Sequence, residues 1–327
     1  MNYWQDRVKI KNLSFPRFIG APLDGITDSP FRALVRDFSP DALLYTEMRH
    51  VATVAHDTGK LKTLDFSDLE RPLNFQVAAN QITYIQSACE KILARGVDSI
   101  DLNVGCPAHN VTGSGGGSAL MADLPRLKSI VESIRLQVKD LPFTVKIRAG
   151  FKCVNALEVA KMLQDCGVDA LAIHPRLQTQ RFEGRPNYDL AGEVKKALSI
   201  PVFISGGIVN WQLAKMVYER TGVDGFLIGR GMWAKPWKLQ ELYEHSQGRE
   251  FQVTTRTVLT YALKHFDKML AYYGPKGLFC FRKHLPFYLR GLPGASELRS
   301  RLVTTTSEQE VREGMFKVME AYNEVIQ

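Results

Sequence analysis

Eight short, nearly continuous apolar runs recur along the first 230 residues: 18–22, 42–48, 73–79, 99–105, 143–150, 170–176, 202–207 and 225–230. Runs rich in Val, Ile, Leu and Phe with few polar interruptions are how parallel strands covered on both faces read. Helical periods fill most of the gaps. Residues 82–94 carry apolar side chains at 82, 85, 89, 92 and 93, and 124–138 and 156–166 behave similarly. Gly96 and Gly167 stand where C′ glycines end such helices. Strand–helix alternation repeated eight times predicts an α/β fold, a (β/α)8 TIM barrel. An open doubly wound sheet would usually carry G-x-G-x-x-G after its first strand, and none is found there.

After Arg230 the pattern changes. Residues 256–272 and 307–325 read as amphipathic helices, joined by a stretch with Gly274, Pro275, Pro286, Gly291, Pro293 and Gly294. A barrel domain over 1–245 followed by an all-helical C-terminal domain over 246–327 is therefore expected. Charge sharpens this division. The chain holds 42 Lys+Arg against 34 Asp+Glu, a net +8. Residues 245–327 hold twelve against eight, half of the excess on about a quarter of the chain. Between 276 and 301, six cations face Glu297 alone and alternate with Phe279, Phe281, Phe287 and Tyr288. Cations suit phosphates and aromatic faces suit unstacked bases, so this surface is compatible with RNA. Most of these aromatics are equally expected in the helix core, which still leaves a basic face.

Other classes recede. No apolar run reaches the ~18 residues that span a bilayer, and the first residues lack the basic-then-apolar pattern of a signal peptide. A cytoplasmic protein, a monomer without a membrane partner, is expected. Five scattered cysteines without C-x-x-C spacing argue against a disulfide framework, and no His/Cys/Asp/Glu spacing suggests a metal.

In a barrel of this kind, chemistry sits at the C-terminal ends of the strands. The first ends at Pro22, Leu23, Asp24 and Gly25, a sharp turn that suits a flat ligand or is an ordinary βα turn. The third places Asn74 and Gln76 on one face, and the fourth does so with Asp101, Asn103 and Gly105, just before Cys106. Lys146 and Arg148 share a face of the fifth, where two cations are costly unless they meet anions or leave through the mouth. His174 and Arg176 close the sixth. Ser205, Gly206 and Gly207 end the seventh, and Gly229 and Arg230 the eighth, at the positions where such barrels usually bind phosphate. A phosphate clamp with Gln76 and Lys146 suggests FMN, with Lys146 near the pyrimidine edge of the ring. Reduced flavin then needs a partner acid, a role open to Cys106.

The segment Asp101-Leu102-Asn103-Val104-Gly105-Cys106-Pro107 resembles the active-site motif of the tRNA-dihydrouridine synthases. Ala21-Pro22-Leu23-Asp24-Gly25, Gln76, Lys146-Ile147-Arg148, His174-Pro175-Arg176 and Gly229-Arg230 fall in that family's order. Thr179-Gln180-Arg181-Phe182-Glu183-Gly184 is similar to its loop after the sixth strand, and Arg282-Lys283-His284-Leu285-Pro286 to the helical domain of its DusB-type branch. The resemblance implies an FMN enzyme that reduces the C5–C6 bond of uridine in tRNA, with NADPH as electron donor. It implies Cys106 as general acid; Pro22, Leu23, Asp24, Gln76, Lys146 and His174 at the flavin; and Ser205, Gly206, Gly207, Gly229 and Arg230 at its phosphate. Asn103, Arg148 and Arg176 would line the substrate pocket, with Arg282 and Lys283 on the RNA.

The chain departs from the family pattern twice. Gly207 stands where an acidic residue is usual, and residues 108–114 carry no Lys or Arg. That loop is expected to move over the substrate. Two other functions compete: a dihydroorotate-dehydrogenase-like oxidoreductase of a free pyrimidine, and a non-catalytic RNA-binding protein. The basic helical domain disfavours the first. Cys106, Lys146 and the phosphate clamp disfavour the second.

Overall fold

The computed structural model describes residues 3–59, 62, 64–292 and 295–324. Its strands are β1 (Val8–Ile10), β2 (Leu13–Phe15), β3 (Phe18–Gly20), β4 (Leu44–Tyr45), β5 (Arg49–His50) and β6 (Leu73–Ala78), then β7 (Ser99–Val104), β8 (Phe143–Gly150), β9 (Ala170–Leu177), β10 (Val202–Ser205) and β11 (Gly225–Ile228). Its helices begin with α1 (Ser29–Arg36), α2 (Val51–His56), α3 (Ile85–Arg95), α4 (His109–Thr112), α5 (Leu124–Val138), α6 (Ala156–Asp165) and α7 (Tyr188–Ala197). They continue with α8 (Trp211–Thr221), α9 (Lys238–Ser246), α10 (Thr255–Tyr273), α11 (Lys276–Phe281), α12 (Leu285–Tyr288), α13 (Ala295–Leu302) and α14 (Glu308–Glu324).

The large sheet is parallel and closes on itself. Strand β3 pairs with β4 and β11, and β4 pairs with β6, so β3, β4, β6, β7, β8, β9, β10 and β11 form an eight-stranded barrel. The expected TIM barrel is thus present, each predicted apolar run supplying one wall. The second run forms only β4, and its last residues break away before β5 begins just beyond it at Arg49. At its break, the Thr46 hydroxyl accepts from the Gln76 N–H (2.9 Å) and the Glu47 carboxylate from the Gly25 N–H (2.6 Å). Side chains there replace part of the strand ladder. The hairpin β1–β2, absent from the periodicity, packs Val8, Ile10 and Phe15 with Ile19, Tyr45, Ala172 and Phe203 in one buried cluster. Full burial of such a side chain contributes roughly 1.5–3 kcal/mol.

Internal packing divides the chain into two compact units, Met1–Thr27 with Asp41–Gly229, and Asp28–Pro40 with Arg230–Gln327. The second unit takes in α1 as well as the C-terminal helices, and it begins before the expected boundary at residue 246. The physical reason lies in α1: Phe31 stacks on His284 (6.3 Å between centroids) and meets His265 (5.6 Å). The core of this unit gathers Leu259, Phe266, Met269, Leu278, Phe281, Tyr288, Leu302 and Met315. A Cβ at Gly277 would lie 2.3 Å from the Met269 carbonyl, so glycine is what lets α11 cross α10.

The stretch read as a joint is itself helical in α11, α12 and α13; its prolines and glycines separate short helices. Of its four aromatics, Phe281 and Tyr288 are buried, while Phe279 (53%) and Phe287 (37%) are exposed. Among the described residues, no helix is long and apolar enough to cross a membrane.

Candidate active site

The barrel's polar side chains come together because the strands are in register. Gln76 of β6 lies opposite Asp101 of β7, and Asp101 lies opposite Thr144 of β8. Period-two alternation then directs Asn74, Gln76, Asp101, Asn103 and Thr144 to a common buried network. Asn74 donates to the Thr144 hydroxyl (2.9 Å), which donates to Asp101 (2.5 Å). Gln76 donates to the other Asp101 oxygen (2.7 Å) and accepts from Asn103 (2.9 Å). Burial pushes the Asp101 carboxyl up to about 7, against the opposing pull of Thr144, Gln76 and Lys146.

Cys106, half-buried past the end of β7, is held on both sides of its backbone. Its N–H donates to the Asn103 side-chain carbonyl (2.8 Å), which also accepts from Gly105 (3.1 Å). Its own carbonyl accepts from the Ser118 N–H (3.1 Å) and hydroxyl (2.9 Å). Gly117, at φ +56°, makes this closure possible, since a Cβ there would lie 2.8 Å from the Cys106 carbonyl oxygen. The glycine-rich segment after Cys106 contains the short helix α4. It is tied by Asn80 to the Ser114 carbonyl (3.0 Å) and by Gln178 to that of Pro107 (3.2 Å).

Lys146 lies opposite Asn103 in the β7–β8 register. Burial, then the Arg148 charge, lowers its amine to about 8, opposed by Asp101 and Cys106. Among the described residues the Lys146 side-chain amine makes no hydrogen bond or ion pair. A cation so placed fits an electron-rich ligand edge, as the reduced flavin ring presents. Arg148 has a different setting. Only 1% exposed, it donates to the carbonyls of Gly105 (2.8 Å), Leu177 (3.1 Å) and Arg181 (2.8 Å), using three of its five N–H donors on the loops. Arg176 bonds the Gly184 carbonyl (2.7 Å) and contacts the His174 Nε2 (2.9 Å). Phe182 from the loop after β9 lies 6.2 Å from the His174 ring and under the Arg148 guanidinium.

Gly206 and Gly207 follow β10 at φ +107° and +85°, a left-handed turn that glycine adopts without strain. A Cβ on Gly206 would strike the His174 ring at 2.5 Å, and one on Gly207 the Tyr188 hydroxyl at 2.7 Å. The glycine at 207 is therefore dictated by the turn and by Tyr188, which donates to the Gly206 carbonyl (3.2 Å). Gly229 ends the barrel unit and Arg230 opens the helical one. In the latter unit, Arg282 donates to the Thr304 carbonyl (3.0 Å) and lies over Phe279, while Lys283 is half-buried.

Sequence reasoning missed Glu47. Only 6% exposed, it holds the Gly25 N–H and meets Arg49 (2.8 Å), which anchors the Pro22–Asp24 turn from behind. A lone carboxylate inside an apolar run was the available signal. Thr144 was equally silent, being a common strand residue.

A parallel eight-stranded barrel with a thiol, an unpaired lumen amine and a glycine turn after β10 defines a cofactor-dependent barrel enzyme. Comparison with known proteins gives the family. Residues 19–324 match the family model described as dihydrouridine synthase (Dus). The chain is 34% identical over 313 residues to a probable tRNA-dihydrouridine synthase 1 of Synechocystis, covering 94% of this chain and 88% of the relative. It is 34% identical over 292 residues to tRNA-dihydrouridine synthase B of Pseudomonas putida (86% and 85% covered). It is 32% identical over 327 residues to a probable tRNA-dihydrouridine synthase of Rickettsia conorii (98% of both). The chain belongs to the dihydrouridine synthase family. Among solved structures, histamine dehydrogenase from a Rhizobium species shares the fold at TM-score 0.58 and 15% identity, covering 82% of this chain and 51% of that one. A variant of NCR from Zymomonas mobilis does so at TM-score 0.57 and 14% identity, covering 79% and 96%.

Proposed function

We propose that this protein is an FMN-dependent tRNA-dihydrouridine synthase that reduces the C5–C6 bond of specific uridines with NADPH as electron donor. The observation that carries the reading is the pairing of an oriented Cys106 with an unpaired Lys146 on adjacent strands of one barrel mouth. When bound, the flavin supplies the hydride. Lys146 and Gln76 hold the pyrimidine edge of its ring, and Pro22, Leu23, Asp24 and His174 border it. Backbone N–H groups at Ser205, Gly206, Gly207 and Gly229, with Arg230, hold its phosphate. Cys106 gives its thiol proton to uracil C5, and Arg148 and Arg176 shape the pocket for the base.

The base must leave the RNA stack to reach such a site, at a cost of a few kcal/mol. Phosphate contacts from the basic helical unit, Arg282 and Lys283 among them, offset that cost. We assign catalysis to the barrel and RNA binding to the helices, in a monomer working in the cytoplasm. The test is to load the protein with FMN, supply NADPH and uridine-containing tRNA, and measure dihydrouridine by mass spectrometry of nucleosides. Dihydrouridine in tRNA supports the reading; reduction of free pyrimidines alone, or failure to bind FMN, overturns it.

A further inference from the structure

We propose that Tyr188 is a positioning residue for the phosphate end of the flavin, acting by fixing the turn Gly206–Gly207 after β10. The proposal rests on the reading of that turn as part of the phosphate seat. Tyr188 opens α7, so it belongs to none of the strand ends that border the flavin.

The turn needs an outside tie. Gly206 and Gly207 lie at φ +107° and +85°, and glycine loses more conformational freedom on folding than any other residue. Among the described residues, neither glycine's N–H donates to a protein group. Two adjacent glycines with free donors can swing together unless the peptide between them is held. Tyr188 holds it: its hydroxyl donates to the Gly206 carbonyl (3.2 Å). That carbonyl and the Gly207 N–H belong to one planar trans peptide unit, so they point in opposite directions. The Tyr188 hydroxyl therefore sets which way the Gly207 N–H points.

The tyrosine is itself anchored. The preceding Asn187 donates its N–H to the Pro175 carbonyl of β9 (2.8 Å), and its side chain caps α7 at the Leu190 N–H (3.3 Å). Burial raises the phenol above its ordinary value, against the pull of Arg176, so it stays a donor across the neutral range. The same hydroxyl explains the residue at 207. A Cβ there would lie 2.7 Å from it and 3.3 Å from Pro186 Cγ. The oxygen occupies the space that a side chain at 207 would need, so the glycine and the tyrosine form one device.

Two substitutions test this. Tyr188→Phe keeps the ring and removes the hydroxyl. The full-length protein is stripped of flavin and titrated with FMN and with riboflavin, which has the same ring system and no phosphate. Tyr188→Phe should weaken FMN binding about fivefold, the effect of one neutral hydrogen bond, and leave riboflavin affinity unchanged. Equal losses for the two flavins would make Tyr188 general scaffolding and overturn the proposal. So would parental FMN affinity in the variant.

Gly207→Ala approaches the same contact from the other partner. It should cost FMN affinity at least about threefold more in the parent than in the Tyr188→Phe background, where the atom it strikes is gone. Equal costs in both backgrounds would also overturn the proposal. A parent that binds FMN no more tightly than riboflavin would overturn the reading of the turn as a phosphate seat, and the proposal with it. A parent that prefers FMN, with the preference intact in Tyr188→Phe, would sink the proposal alone.

Discussion

Acid should loosen the helical unit through a buried histidine pair. His265 and His284 are both 0% exposed, and their rings lie 4.5 Å apart. The His265 Nδ1 meets the Tyr288 hydroxyl at 3.1 Å, but its Nε2 and both nitrogens of His284 have no hydrogen-bond partner among the described residues. Burial, with the Lys283 charge adding to it, lowers His284 to about 3; burial, then the His284 and Lys283 charges, holds His265 well below its ordinary value. The unfolded chain therefore takes up protons near pH 6.5 that the folded unit refuses. Stability is at its full value above pH 6.5 and falls as the pH drops toward 3.

At pH 4.5 the unfolded imidazole has gained about two pH units of protonation free energy, or about 3 kcal/mol from His284 alone. That is a large part of a typical domain's stability. The assay is urea denaturation of the full-length protein at about pH 7.5 and pH 4.5, read by pulsed hydrogen exchange in α10 and α11. The unfolding midpoint of those helices should drop sharply on acidification. His284→Leu should recover about half of the drop, and His265→Leu with His284→Leu nearly all of it. A midpoint that ignores pH in the parent, or falls as steeply in the double variant, would refute the reasoning.

Gly207→Asp, which restores the residue type usual in the family, should destabilise the barrel by about 1–2 kcal/mol through its left-handed backbone and weaken FMN retention through the clash with Tyr188. An unchanged melting temperature with full flavin occupancy would argue against this. Lys146 loses its proton as pH rises through about 8, so FMN affinity should weaken between pH 7 and 9.5 in the parent and stay flat in Lys146→Met; isothermal titration reads both. Lys283→Gln should lower tRNA affinity and reduce the salt slope by about 1. Arg282→Gln should do the same and also lower stability, because it removes the bond to the Thr304 carbonyl.

How much of this was legible in the sequence depends on whether a residue announces itself by type. The barrel walls were readable because parallel strands buried on both faces leave long apolar runs. The hairpin β1–β2 was not, since three-residue strands are too short to show a period. Lys146 stood out as a cation inside an apolar strand and Cys106 as a thiol just past a strand end, whereas Thr144 and Glu47 matter only through partners brought close by register and turns. Arg148 shows the limit most clearly. The family resemblance implied a place for it in the substrate pocket, and nothing local foretold that its donors run to the carbonyls of Gly105, Leu177 and Arg181, a pattern set by the loop after β7 and by the end of β9 with the loop that follows it. Likewise, α1 joins the helical unit through Phe31, a contact that crosses more than two hundred residues of chain and leaves no local trace.

The central claim is that Cys106 protonates a uridine held for reduction in this barrel. Its most direct test is a single turnover of the anaerobic, FMN-reduced Cys106→Ala enzyme with tRNA, following reoxidation by absorbance and dihydrouridine by mass spectrometry. With flavin content and tRNA affinity unchanged, the account expects transfer to fall at least about a hundredfold, the usual contribution of a positioned general acid. Transfer at the parental rate would contradict it.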